Sequence, residues 1–494
     1  MVETTRAAGI QIAVVGHTNA GKTSLLRTLT RQASFGEVAD RPGTTRHVEH
    51  IALQVEGGAP VVFFDTPGLE DSTALLDHLQ SLGKDATRLE RVQAFLAGPE
   101  AQRSFEQEAK VLRKMLEVDA ALYVIDCREP VLPKFRCEIE ILASCARPVM
   151  PVLNFVRHPA SREAQWQAVL QDSGLHAQVR FDAVAPFVGS EQRLYQDLAT
   201  LLPRQREALA GVVRHLDREA AERRSAGCRL IADLLVDLTA LRRAVEPEAY
   251  ADPVQRQRLV AEFQADALAR VRRCMDALLA VHGFRRGDAE MAAWRQDGQG
   301  AGWLDGRWQD DLFHPESLKQ AGKRLGQGAA IGASLGLIAD LAVAGISLGA
   351  GAVVGGAVGG MVTQGWRQFG NRLVNKLRGV QELTLANEML LLASAHLIEV
   401  LRALAERGHA ASQTLQVAGP EGAVSDAALR QLVTDAQPAR SHPLWQRAAG
   451  DRGAETAGRR ELVDRLAARI AGVAQTADRT VQATAAPALP PPGV

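Results

Sequence analysis

Apolar positions are arranged in three ways along this chain of 494 residues. Up to residue 205, short apolar runs alternate with charged stretches at helical spacing. Runs of this length bounded by turn residues read as buried strands, predicted at Ile10–Val15, Val48–Val55, Val61–Phe64, Ala120–Ile125, Val149–Leu153 and Gln178–Phe181. Between them lie helical patterns such as Arg162–Gln171 and Leu194–Leu202. Such alternation predicts an α/β domain, a mainly parallel sheet with helices on both faces. A charged, helical segment at about 75–116 is longer than a minimal domain of this kind needs. It is read either as carrier of a conformational signal or as an insertion packed on the sheet edge.

From Arg204 to about Val281 glycine becomes scarce, and Leu, Ala and Val recur among Arg and Glu, as in Leu230–Leu238. This is the pattern of amphipathic helices packed on one another, so a mostly α-helical C-terminal region is expected. Trp294, Trp303 and Trp308 follow in a glycine-rich connection, as packing anchors or as residues of a membrane interface. The third arrangement runs from Leu325 to Val362, where Asp340 is the one formal charge and glycines recur at four-residue spacing, as at Gly328, Gly332 and Gly336. On a helix that spacing makes a smooth stripe for close approach of a second helix. Each interior glycine costs about 1 kcal/mol relative to alanine, so such a helix needs a partner. Asp340 divides the stretch, and only the arm Leu341–Val362 reaches the length of about 20 residues that crosses a bilayer. Basic residues flank both ends, as a hairpin entering from the cytoplasmic side would require. A membrane or membrane protein met through 325–362 is one reading, and a glycine-packed hairpin inside a soluble domain is the other. Residues 367–408 return to a helical pattern, with Leu390–Leu392 on a buried face, and a polar tail ends in a proline-rich run expected to be disordered. The resulting division is 1–205, 206–320, 321–412 and 413–494.

Charge adds little: 57 basic and 57 acidic residues give no general attraction to nucleic acid. Five cysteines without metal-ligand spacing read as free thiols of a reducing cytosol, and no cleavable signal is evident at the N-terminus. The expected location is cytoplasmic, peripheral or hairpin-inserted at the inner membrane face.

The chemistry lies in three motifs. Gly16-His17-Thr18-Asn19-Ala20-Gly21-Lys22-Thr23, followed by Ser24, falls between a predicted strand and a predicted helix. It is a phosphate-binding loop, whose glycines let successive N–H groups curl around phosphate oxygens at a helix N-terminus. Lys22 neutralises the β and γ phosphates, and Thr23 ligates Mg²⁺. Pro42-Gly43-Thr44-Thr45-Arg46 then lies in a polar, turn-rich segment, where Thr45, with Thr44 second, completes the metal shell when the γ-phosphate is present. Asp65-Thr66-Pro67-Gly68 ends a strand; Asp65 holds Mg²⁺ through water and the Gly68 N–H senses the γ-phosphate. The fold is therefore expected to be a P-loop NTPase G domain.

Asn19-Ala-Gly-Lys-Thr, Pro-Gly-Thr-Thr-Arg-His and Asp-Thr-Pro-Gly-Leu resemble the Era and MnmE branch of small GTPases, over roughly the first 200 residues. The resemblance implies binding of GTP and GDP, hydrolysis with Mg²⁺, and a role for Asn19 in holding a monovalent cation, usually K⁺. It also suggests a homodimer through the G domain. Leu69 stands where Ras-like proteins have the water-orienting glutamine, which leaves Glu70, with Asp71, as the nearest carboxylate to assist; a solvated pair opening a helix is the competing reading. The base-reading motif Asn-Lys-x-Asp corresponds to Asn154-Phe155-Val156-Arg157, so Asn154 is retained and the carboxylate is missing. Phe181-Asp182-Ala183 stands at the place of a base-contacting Ser-Ala loop. The whole arrangement looks like a bacterial group in which an Era-like GTPase is fused to a C-terminal helical domain with a Gly/Ala-rich hydrophobic stretch.

The expected function is a slow, Mg²⁺-dependent GTPase, K⁺-stimulated, acting as a switch on its helical C-terminal region. Catalytic candidates are Lys22, Thr45, Gly68 and Glu70. A ribosome- or RNA-associated assembly factor is the first alternative, although no RNA-binding motif is present. A nucleotide-binding scaffold with negligible hydrolysis is the second.

Overall fold

The computed structural model describes residues 9–31, 48–83, 85–183, 189–284, 346–348, 381–406, 425–447 and 456–485. They form two compact units, one up to Ala221, the other from Glu222 to Ala405 and from Ser425 onward.

In the first unit, β1 (Ile10–Val15), β2 (Glu49–Leu53), β3 (Val61–Asp65), β4 (Ala120–Asp126), β5 (Val149–Asn154) and β6 (Val179–Arg180) make one sheet in the order β2-β3-β1-β4-β5-β6. Only β2 runs antiparallel, against β3. Strands covered on both faces need apolar residues at every position, which is why β1, β3, β4 and β5 read as unbroken apolar runs. Their two-residue period sorts the side chains into two cores. Ile10, Ile12 and Val14 pack with Leu25 and Leu26 of α1 (Lys22–Thr30), while Ala13 and Val15 join the other core.

That other core takes in the expected insertion, which folds as α2 (Ser72–Ser81), α3 (Arg88–Ala97) and α4 (Glu106–Glu117). Leu75, Leu79, Val92, Phe95, Val111, Leu112 and Met115 are all buried there, so the segment covers a sheet face. Its helix starts are written locally: Asp71 caps α2 by accepting from the Ala74 N–H, and Thr87 and Glu90 form a reciprocal capping box on α3. The remaining helices are α5 (Pro133–Ala143), α6 (Glu163–Asp172) and α7 (Ser190–Leu201), together with the beginning of α8 (Arg206–Ala240). Leu194 and Leu198 of α7 and Leu209, Val212 and Leu216 of α8 complete the first core.

The second unit contains the rest of α8, α9 (Pro247–Ala251), α10 (Pro253–Val281), α11 (Asn387–Glu406), α12 (Asp426–Ala436) and α13 (Ala457–Ala485). It also has a three-stranded antiparallel sheet in the order β7-β9-β8, made of β7 (Arg242–Val245), β8 (Ile346–Leu348) and β9 (Gln381–Leu385). Three expectations change here. The helical reading of 367–408 is interrupted by β9, and all of Leu390, Leu391 and Leu392 are buried, so α11 is enclosed and not one-faced. The polar tail after 413 supplies two packed helices, with Leu429, Leu432, Leu462, Leu466 and Ile470 in the core. Ile346–Leu348, inside the arm read as a membrane-crossing helix, is a strand hydrogen-bonded to β9. The remainder of 325–362 lies outside the described residues, as do Trp294, Trp303 and Trp308 and the proline-rich end. Among the described residues, no helix is long and apolar enough to cross a membrane.

Candidate functional site

The loop between β1 and α1 has the backbone its glycines predict. Gly16 has φ 143°, and a Cβ there would stand 2.4 Å from the Val124 carbonyl oxygen. Gly21 has φ 94°, and a Cβ there would meet the Asn154 amide nitrogen at 2.4 Å. Neither position admits a side chain without displacing a neighbouring strand end. Asn19 is exposed with φ 67°, a left-handed conformation that asparagine tolerates better than most residues. The loop leads directly into α1, whose first-turn N–H groups have no intrahelical acceptor and so favour an anion.

Lys22 is buried and folds back over its own loop, donating to the carbonyls of Gly16 at 3.1 Å and His17 at 2.9 Å. Burial pushes its ammonium pKa down, opposed by the nearby carboxylates of Asp65 and Glu138. Thr23 donates its hydroxyl to Asp65 Oδ2 at 2.7 Å. Asp65 is buried at the end of β3, and its second oxygen, Oδ1, has no hydrogen-bond partner. Burial raises its pKa, against the hydrogen bond from Thr23 and the charge of Lys22.

A buried carboxylate with an unpartnered oxygen, beside a threonine hydroxyl and a phosphate loop, is a donor set fit for Mg²⁺. That ion takes hard oxygen ligands and is bound through one or two protein groups together with substrate phosphates. Among the described residues no cluster of three metal-binding side chains occurs, so a metal held by protein ligands alone has no site there.

Gly68 lies against the loop: a Cβ on it would stand 2.3 Å from the Thr18 hydroxyl and 2.7 Å from its backbone nitrogen. Leu69 is fully buried in the apolar core. Glu70 is exposed, and its backbone N–H, with that of Asp71, donates to Glu108 Oε1 at 3.2 and 3.1 Å. Asp71 is the cap of α2. Ser24 is half-buried at the start of α1, and Thr44 and Thr45 lie outside the described residues.

Asn154 is a brace. Its amide donates to the Ala20 carbonyl at 3.0 Å, and its oxygen accepts from the N–H groups of Phe155 and Ala183, each at 3.0 Å. It thereby ties the phosphate loop to the ends of β5 and β6. Phe155, at φ 57°, places its ring near Gly21, and the Arg128 guanidinium stacks on it at 3.8 Å, itself held by Asp126. Arg157 is exposed.

Sequence reasoning missed a polar cluster on the outer side of the loop. His17 Nδ1 lies 2.9 Å from the Leu69 carbonyl and 3.0 Å from Glu138 Oε1, while its Nε2 lies 2.9 Å from the Lys134 ammonium. Glu138 is fully buried and also accepts from the Tyr123 hydroxyl at 2.9 Å. A cavity of about 200 Å³ opens beside this cluster, lined by His17, Tyr123, Asp126, Lys134, Phe135 and Trp166 among others. No local motif announces these groups, because Glu138 lies 121 positions from His17.

The five cysteines are free thiols. Burial pushes Cys127, Cys145 and Cys274 up to about 12 and Cys228 to about 11, which makes them inert rather than nucleophilic.

Residues 11–155 match the family described as "50S ribosome-binding GTPase", and residues 167–468 match the family described as "Domain of unknown function (DUF3482)". The tRNA modification GTPase MnmE of Magnetococcus marinus is 33% identical over 131 residues, covering 26% of this chain and 27% of that protein. MnmE of Beijerinckia indica is 28% identical over 236 residues, 47% of this chain and 44% of that one. The chain thus spans less than half the length of these relatives. An Era variant of Aquifex aeolicus, solved with GDP·AlF4⁻, aligns with 18% identity over 35% of this chain and 50% of that one, at a TM-score of 0.26. With its phosphate loop, Thr23–Asp65 pair and parallel sheet in place, the chain belongs to the DUF3482 family and carries, ahead of that domain, a GTP-binding GTPase domain similar to that of MnmE.

Proposed function

We propose that the protein is a slow, Mg²⁺-dependent GTPase whose nucleotide state controls its helical C-terminal region. The observation that carries this reading is the buried Asp65, hydrogen-bonded to Thr23 and within the field of Lys22, with one oxygen left for the metal shell. In the mechanism, Lys22 gives up its carbonyl partners for the β and γ phosphates, and the amides of residues 16–23 hold the phosphate oxygens. Thr23 and Asp65 would hold Mg²⁺ together with Thr45, and the ion, when bound, neutralises charge developing on the phosphates. Gly68, packed on Thr18, presents its N–H to the γ-phosphate.

Leu69 is sealed in the core, so no side chain at that position orients the attacking water, which accounts for a slow intrinsic rate. Asn19, exposed at the loop's turn, is the residue assigned to a monovalent cation that would offset this deficit. Phosphate release measured in K⁺ and in Na⁺ tests both points. The expected result is slow turnover that K⁺ accelerates, with the preference abolished by Asn19→Ala. Equal rates in the two salts would remove the cation role, and no turnover in either would leave a nucleotide-binding scaffold.

The second reading concerns what the switch acts on. The parts of the run from Leu325 to Val362 outside β8, with their single charge and basic flanks, are read as meeting a lipid surface. Flotation of the full chain with liposomes, with and without a non-hydrolysable triphosphate, tests it, and nucleotide-dependent cosedimentation with ribosomes instead would point to the assembly-factor alternative.

A further inference from the structure

We infer that His17 is a positioning residue: with Glu108 it clamps the peptide unit between Leu69 and Glu70 and so fixes the segment that follows the γ-phosphate sensor. The inference rests on the hydrolytic reading above for its effect on rate, but not for its geometry. The carbonyl of that peptide unit belongs to Leu69 and is met by His17 Nδ1 at 2.9 Å; its N–H belongs to Glu70 and is met by Glu108 Oε1 at 3.2 Å. A peptide is rigid and planar, so holding both of its polar ends fixes its orientation. Its neighbour on the N-terminal side is the peptide joining Gly68 to Leu69, and Gly68 is already seated on Thr18.

Three features make His17 a defined donor. Its Nδ1 faces two acceptors, the Leu69 carbonyl and the Glu138 carboxylate, so the ring proton sits on Nδ1. Its Nε2 faces the Lys134 ammonium, a donor, so Nε2 is the accepting nitrogen of the pair. The ring is also held in place by the edge of Phe135 at a centroid distance of 5.4 Å, with Phe135 packed in turn on Trp166. Glu138, buried and shared with the Tyr123 hydroxyl, is the anchor that keeps the imidazole from turning away. On the far side Glu108 is buried on α4 and receives both the Glu70 and Asp71 N–H groups, which brings the expected insertion into the clamp.

The two hands of the clamp come from the phosphate loop and from the helical segment beyond the sensor, and each grips the same backbone unit. Loss of either should therefore release the segment as fully as loss of both. This non-additivity separates a clamp from two independent packing contacts.

The test is a double-mutant cycle of His17→Ala and Glu108→Ala in the full chain, read by single-turnover GTP hydrolysis, by GDP affinity and by amide exchange of residues 68–72. Expected are a fall in rate of about tenfold for each single variant, a double variant no worse than about the larger single loss, and GDP affinity within about threefold of the wild type. The amides of Glu70 and Asp71 should lose protection in His17→Ala, although their acceptor Glu108 is intact. Single-variant rates within twofold of the wild type, losses that multiply, or GDP affinity falling in step with rate would overturn the clamp. Should either alanine form fail to fold, His17→Phe and Glu108→Met, which keep bulk but can neither donate to nor accept from the peptide unit, take its place in the same cycle. A wild-type protein that hydrolyses no GTP would sink the functional reading instead, and amide exchange would then decide the clamp by itself.

Discussion

Buried charge is used in opposite ways in the two units. In the second, the buried carboxylate of Asp237 is met by protein donors: Arg270 bonds it at 2.5 Å and Asp266 at 3.1 Å, and the Arg447 N–H gives Asp237 another donor at 2.6 Å. Asp233 is shared by Arg447 at 2.8 Å and Arg459 at 2.6 Å. This closed network joins α8, α10 and α13 through ion pairs between protein groups. In the first unit Asp65 keeps an unpartnered oxygen and Lys22 spends its protons on the carbonyls of its own loop. A closed network specifies a packing arrangement, whereas an incompletely satisfied one is complementary to something that binds. The difference teaches where to look for chemistry: at the charge the protein does not satisfy by itself.

Breaking the closed network should have the largest effect. Arg270→Ala leaves Asp237 buried without its main partner, and removing one member of a buried pair typically costs about 3–5 kcal/mol. Burial already raises the Asp237 pKa despite Arg270, so the abandoned carboxylate would take up a proton more readily. Urea unfolding monitored by segment-resolved hydrogen exchange should show α8, α10 and α13 losing protection, with GTP binding by the first unit retained. Simultaneous loss of both would mean that the two units do not respond separately.

Breaking the open site should instead spare stability and abolish binding. Lys22→Ala removes a cation from a buried setting in which its charge is disfavoured, so the melting temperature should hold or rise. Affinity for Mg²⁺–GTP should fall by a hundredfold or more, equivalent to about 2.7 kcal/mol. Calorimetry checks this directly: undiminished binding would mean that the loop is not the phosphate site.

The contrast between the units also governs what the sequence made legible. β1, β3, β4 and β5 were readable to within a residue or two because each is a continuous apolar run covered on both faces. Thr23 and Asp65 could be expected near one another because one follows a glycine turn at a helix start and the other ends a strand beside it, and the structure brings them to 2.7 Å. The expected strand Gln178–Phe181 shrinks to two residues at the sheet's edge, where pairing comes from one side only. In the second unit β7 escaped notice. Arg242-Arg243-Ala244-Val245 has no strand signature, and its partner β9 lies about 140 positions away, so only tertiary pairing makes it a strand. Helices α12 and α13 were hidden by their alanine and arginine content; few apolar residues suffice when each faces an existing core. The clamp on Leu69 was illegible for the same reason as β7, since His17, Glu108 and Glu138 meet only through the fold.

The smallest expected effect sharpens the comparison through pH. His396 on α11 is buried, and burial pushes its pKa down to about 4 from 6.5. A histidine depressed in the folded state binds its proton more readily when unfolded, so stability is full above 6.5 and is lost as the pH falls toward 4. At pH 5 the loss should be about 2 kcal/mol. Asp65 in the first unit has the opposite sign. Its folded pKa is raised above 3.8, so acidification through that range relieves the burial of its charge and favours the folded form. Hydrogen exchange at pH 7 and pH 5 should therefore show α11 losing protection. His396→Gln should remove the acid sensitivity of α11 and leave β3 as it was. If α11 in that variant still loosens by the same amount at pH 5, the titrating group lies elsewhere in the second unit; Asp237 is not it, because a carboxylate whose folded pKa is raised favours the folded form on acidification.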